Sequence, residues 1–282
     1  MLRSKSALAF PGREDEKEKS MKGKPDKQRW PEMLSPEDRI AEAKEKTRKI
    51  VDHLLHVIAV HESNRALLFS DTLAKQVPPS HAAHTFNLLC DNQYRYELVR
   101  LCALWDPSKP DRESIPTIAA LVDSDAVRTL LAEETQRHWV QLPARVIPSD
   151  EGSDDEVQKL AESIAHAQSA AFGVKQAQKA LHWLKSAKRM ETRVRRCDRY
   201  LALVDSRDRY IAHNLSFAAA RKAPLTTAKY GDDSWLLALS IRIIDRLNLG
   251  ICGANFDWNG SQKIAEKRAL NFWNGVSLKV LG

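Results

Sequence analysis

The sequence predicts an all-α protein, a helical bundle running up and down so that neighbouring helices pack antiparallel. Three observations carry that prediction. The chain has only ten glycines in 282 residues, few for a protein of strands and tight hairpins. Apolar residues recur at steps of three and four through most of its length. Prolines and short polar stretches interrupt those runs where connections between helices would fall.

Residues 1–34 mix Lys, Glu, Asp, Gly and Pro with almost no apolar spacing, and are expected to form a disordered, charged N-terminal tail. Helix begins at "SPEDRI": Ser35 suits a cap, Pro36 the first helical position, and Glu37 and Asp38 the positive end of the helix dipole. Ile40, Ala43, Thr47, Ile50, Leu54, Val57, Ile58 and His61 then keep helical spacing to about Phe69. "VPPS" breaks that helix. A second runs from about His81 to Trp105, where "DPSKPD" stops it, because proline removes a donor and disfavours helix just before it. "SIPTIAALVDSDAVRTLLAEETQRHW" reads as a short helix, a turn near Asp123–Asp125, and another helix. "LPARVIPSDEGSDD" is a loop. From Glu156 to about Phe217 nearly everything is helical, with an interruption expected near Gly173. After the loop "RKAPLTTAKYGDD", Asp232 or Asp233 is expected to cap "SWLLALSIRIIDRLNLGI", the most apolar helix of the set. A last helix starts at about Ser261. Residues 35–250 are taken as the main domain and 251–282 as a C-terminal helical extension.

Composition narrows the function. Cys90, Cys102, Cys197 and Cys252 form no CxxC pair, so neither a zinc ribbon nor a disulfide framework is expected. No apolar run approaches the roughly 18 residues of a membrane span, and "ALAF" is too short for a signal-peptide core, which points to a cytoplasmic protein. The net charge is +7, and the window Lys185–Lys222, with eleven basic and four acidic residues, carries an excess of that same size. Such a stretch attracts phosphate polymers; the plain alternative is a solvated helix face.

Familiar catalytic signatures are missing. "HESNR" at 61–65 begins like a zinc-protease helix but has Arg65 where the second histidine belongs. His53 with His56, and His81 with His84, have a usable spacing, but no carboxylate or cysteine completes a site, so they are read as packing or surface histidines and no metal site is expected. Neither a Walker loop nor a GxGxxG fingerprint occurs, and no cofactor is expected.

The stretch "SRDRYIAHN" at 206–214 remains. Cys197, Leu201, Val204, Asp208, Ile211 and Leu215 step as a helical seam, which would set Asp208 among apolar neighbours, where a carboxylate needs a partner. Arg207 and His213 are six residues apart, about 9 Å along a helix and roughly 120° around it. An arginine fork can grip and neutralise a scissile phosphate while a histidine moves the proton of a ribose 2′-hydroxyl or of the leaving oxygen.

These residues resemble the Arg-x(4–6)-His motif of the HEPN superfamily, with five residues between Arg207 and His213 and the polar Asp208 after the arginine. Together with "YELVRLCALWDPSKPDRESIPTIAALV" and "AKYGDDSWLLALSIRIIDRLNLG", they resemble its abortive-infection U-type branch, with Arg209 where lysine is more usual. That resemblance, over about residues 35–250, implies a helical bundle that dimerises. Arg207 and His213 of both subunits would cut RNA without metal, Asp208 would orient Arg207 or His213, and Arg209 would touch phosphate. We add Arg196, Arg199 and Asn214 as expected RNA contacts. The family further implies a toxin or phage-defence role and a possible antitoxin-type partner. The rival readings are a non-catalytic module binding RNA, a nucleotide or a protein, and an interhelical ion network inside a scaffold.

Overall fold

The computed structural model describes residues 30–77, 79–141, 155–208 and 228–278. Among them there is no strand, and no helix is long and apolar enough to cross a membrane. The elements are α1 (Pro36–Leu68), α2 (Asp71–Gln76), α3 (His81–Ala103), α4 (Ile115–Leu121), α5 (Asp125–Gln141), α6 (Asp155–Arg195), α7 (Asp198–Ser206), α8 (Asp232–Cys252) and α9 (Trp258–Gly275).

Helix α1 begins as its sequence dictates. Ser35 Oγ accepts from the Asp38 backbone N–H at 3.1 Å, and Pro36 opens the first turn. Its buried face, Ile50, Leu54, Val57 and Ile58, forms the centre of the core, with α3, α4, α5, α8 and α9 packed around it. Pairing fixes the directions. Asn64 meets Gln93 and Glu97, whereas His53, about three turns earlier on α1, lies against the Arg100 backbone, so α1 and α3 run antiparallel. Of the expected N-terminal tail, residues up to 29 lie outside the described part, while Trp30 and Leu34 pack against the core.

The structure departs from the sequence reading at five places. A short helix, α2, follows α1 before the prolines, capped by Ser70. Helix α6 runs unbroken through Gly173. A Cβ there would stand 3.0 Å from the Gln136 carbonyl oxygen, so this glycine permits close approach of α5 rather than a break. The break comes later. Arg196 and Cys197 donate their backbone N–H groups to Arg193 and Val194, three residues back, and Cys197 is extended. Neither Asp232 nor Asp233 is the cap of α8: that position belongs to Gly231 at φ +85°, and the Asp232 carboxylate instead accepts from the Lys229 N–H at 2.7 Å. Helix α9 starts three residues early because Asp257 caps it, accepting from Gly260 N–H at 2.9 Å.

The most buried stripe of α7 differs from the expected one. Tyr200, Ala202 and Leu203 are buried, and Leu201 is 37% exposed. Of the expected seam, Leu201 is exposed, Val204 packs partly buried against the core and Asp208 is half exposed, while Ile211 and Leu215 lie outside the described residues. Continuing the inner face from Tyr200 and Leu203 by one more turn reaches Arg207, so the charged residue turned inward is the arginine.

Candidate functional site

Two residues past the end of α3 stands Trp105, which is fully buried because three groups claim it. Its indole N–H donates to Ser240 Oγ at 2.8 Å, its ring lies 5.5 Å from that of Tyr200, and the Tyr200 hydroxyl reaches its carbonyl at 3.4 Å. The next residue, Asp106, is pinned through its backbone: Ser114 Oγ donates to its carbonyl at 2.8 Å, while Ile115 N–H returns to Leu104 at 2.7 Å. Pro107 ends any helix here. The Asp106 carboxylate is thus held at the mouth of a rigid corner.

Arg207 arrives from the other side. The last turn of α7 widens to π-helical geometry at Arg207–Asp208. The guanidinium then donates from Nε to Asp208 Oδ1 at 2.8 Å and from Nη1 to Asp106 Oδ1 at 3.1 Å, with Nη2 2.7 Å from Asp208 Oδ1. Arg112 Nη1 sits 3.2 Å from the other Asp106 oxygen. Two arginines and two aspartates make a set neutral overall. A guanidinium has five N–H donors. Among the described residues three are engaged, leaving one on each of Nη1 and Nη2.

The Arg207 side chain is 19% exposed, neither sealed in hydrocarbon nor free in water. Burial works to lower its pKa, but the Asp208 hydrogen bond and the Asp208 and Asp106 carboxylates outweigh it, and the net shift is upward. The group stays a cation. Nearby Cys102 is the opposite case: burial pushes its thiol up to about 12, so it is a packing residue and not a nucleophile.

The other expected site residues are distributed as follows. Asp208 is half exposed and bonded to Arg207. Arg199 lies over the Trp235 ring at 4.6 Å and donates to the buried Asp232 carboxylate at 2.7 Å, tying α7 to the start of α8. Arg196 is exposed at the α6–α7 junction. Arg209, His213 and Asn214 lie outside the described residues. In the basic window, Arg195 and Lys188 are both spent partly on the buried Glu191, at 3.2 and 3.6 Å.

Sequence reasoning missed a second polar centre. His61, Asn64 and Glu97 are all buried where α1 crosses α3. His61 Nδ1 is 2.6 Å from Glu97 Oε1, Asn64 Nδ2 donates to Glu97 Oε2 at 2.7 Å, Asp233 Oδ2 is 3.9 Å from Nδ1, and Ser234 Oγ is 3.5 Å from Nε2. These groups open on a cavity of about 260 Å³ that Tyr94 and Tyr230 also line. Burial acts to lower the His61 pKa, but the Glu97 hydrogen bond and the Glu97, Asp233 and Glu62 charges reverse it and raise it. Burial, followed by the Asp233 and Glu97 charges, pushes the Tyr94 hydroxyl up to about 12. The available signal was register: His61 continues the buried face of α1, and Glu97 stands four residues before the buried Leu101.

The chain matches one family model, HEPN_AbiU2, described as AbiU2, over residues 44–272, a stretch that takes in both polar centres and most of α9. No curated protein and no solved structure matches it.

Proposed function

The chain belongs to the AbiU2 family of HEPN proteins, and from that premise we propose that it is a metal-independent endoribonuclease acting as a phage-defence effector or toxin. The observation that carries this reading is Arg207. It is a permanent cation, held by two carboxylates from different parts of the chain, with two N–H donors uncommitted among the described residues and His213 six residues on. Such a fork suits two oxygens of a phosphodiester. His213 would take the proton of the 2′-hydroxyl or supply one to the leaving 5′-oxygen, while Arg207 neutralises the pentacoordinate phosphorus. Arg209, Asn214, Arg196 and Arg199 would contact flanking phosphates. A homodimer would bring two Arg207–His213 pairs to one cleft, and a protein of antitoxin type would block it.

The test is cleavage of labelled RNA in excess EDTA. His213→Ala and Arg207→Ala are each expected to cut about 10²–10⁴ times more slowly than the parent. Undiminished cutting by either variant overturns the assignment.

The engagement of Arg207 by Asp106 and Asp208 also favours a second reading, a non-catalytic module that grips RNA, a nucleotide or a partner through the same residues. That reading expects salt-sensitive RNA binding without cleavage, weakened by Arg207→Ala and little changed by His213→Ala.

A further inference from the structure

We propose that His61, Glu97 and Asp233 form a divalent-metal site, selective for Zn²⁺ over Mg²⁺, that clamps α1, α3 and α8 together and leaves one coordination position open to the adjoining cavity. One nitrogen of His61 and one carboxylate oxygen from each of Glu97 and Asp233 lie within 4.8 Å of one another. A tetrahedral zinc ion holds nitrogen and oxygen donors at about 2.0–2.2 Å. Donors around such an ion stand roughly 3.4 Å apart, so adjustments of about 1 Å by side-chain rotation would complete the geometry.

Charge favours a cation. The Glu97 side chain is 2% exposed and that of Asp233 14%, and His61 is the basic group within 4 Å of both. Arg65, which also lines the cavity, is bonded to Glu62 at 2.8 Å. Even with His61 protonated, two carboxylates facing one imidazolium leave a negative charge in a shielded place, which is costly unless neutralised. A divalent ion replacing the shared proton cancels that deficit.

The surrounding hydrogen bonds are those a metal site uses. Asn64 donates to the Glu97 oxygen turned away from His61. Ser234 Oγ stands at the far ring nitrogen, where a metal-bound histidine commonly places its remaining N–H. The imidazole in the set selects zinc over magnesium, which prefers oxygen donors and keeps its water.

The site is distinct from the Arg207 cradle and supplies nothing to RNA cleavage, so it stands or falls separately. It is tested by isothermal titration of the full metal-free chain with Zn²⁺ and, in parallel, Mg²⁺. We expect one saturable zinc site, at least tenfold weaker magnesium binding, and a rise in the melting midpoint of about 5 °C at a hundredfold excess over the dissociation constant. Asp233→Asn and Glu97→Gln preserve side-chain shape, and each is expected to weaken zinc binding at least tenfold. The exposed His81 and His84 provide the control: the double variant His81→Ala/His84→Ala should bind as the parent does. Absence of saturable zinc binding overturns the site, as does parental affinity in Asp233→Asn and Glu97→Gln, or loss of binding in the His81/His84 variant.

Discussion

Two basic side chains of this protein, Arg207 and His61, each lie near two carboxylates, and the difference between them decides what each place can hold. Arg207 faces Asp106 and Asp208 just past the end of α3; His61 faces Glu97 and Asp233 further back along the same helix. The first set is balanced within the chain, because Arg112 brings a second permanent positive charge to Asp106. Its spare capacity is hydrogen-bond donors, which suit an anion. Among the described residues the second set has no such companion, since Arg65 is engaged by Glu62, and its spare capacity is carboxylate oxygen. Similar charge clusters thus favour opposite ligands.

The contrast can be broken at several points. The largest effect is expected from Trp105→Ala. Removing a fully buried indole that bonds Ser240 and packs on Tyr200 should cost about 3–5 kcal/mol, read as a lower urea midpoint, and should release Asp106 from its corner. Glu97→Ala comes next. It leaves His61 and Asn64 without their partner in a buried place, for a loss of roughly 3 kcal/mol by the same measurement. Arg199→Ala removes a half-exposed guanidinium from a ring contact and from the buried Asp232 carboxylate, which keeps the Lys229 N–H, and should cost about 1–2 kcal/mol.

Acid–base behaviour sharpens the comparison along α1 itself. The folded pKa of His61 is raised, so its stabilisation is complete below its unfolded value near 6.5 and fades as pH rises through the folded value. His53 is the reverse. Burial, with the Arg100 charge, lowers it to about 4, so the native state prefers the neutral ring and loses stability as pH falls from about 6.5 toward 4. Urea midpoints measured from pH 4.5 to 8 should therefore show His53→Gln flattening the acid limb and His61→Gln flattening the alkaline one. Unchanged slopes in both variants would contradict these assignments.

Much of this fold is legible in the sequence, because helix ends and buried stripes are local properties. Ser35, Pro36 and the run from Ile40 to His61 announce α1 without further help. The misreadings come from contacts that no local pattern records. Gly173 looks like a helix breaker until Gln136 is seen pressed against it. The seam drawn from Cys197 through Leu201 and Val204 to Asp208 follows the right helix one position off its most buried stripe: Tyr200, Leu203 and Arg207 face inward, a choice made by the elements packed on α7. Arg207 could be singled out because its expected partner His213 is close by in sequence. The His61 centre could not, since its groups come from α1, α3 and α8 and meet only after folding.

The central claim is that Asp106 and Asp208 aim the Arg207 fork, so that its shape matters as well as its charge. The most direct measurement is the rate of RNA cleavage in EDTA by Arg207→Lys beside the parent. Lysine keeps the positive charge but cannot bridge both carboxylates and still present two parallel donors, so cutting at least ten times slower is expected. Cleavage at the parental rate would mean that any cation suffices at this position, and the aimed fork would have to be given up.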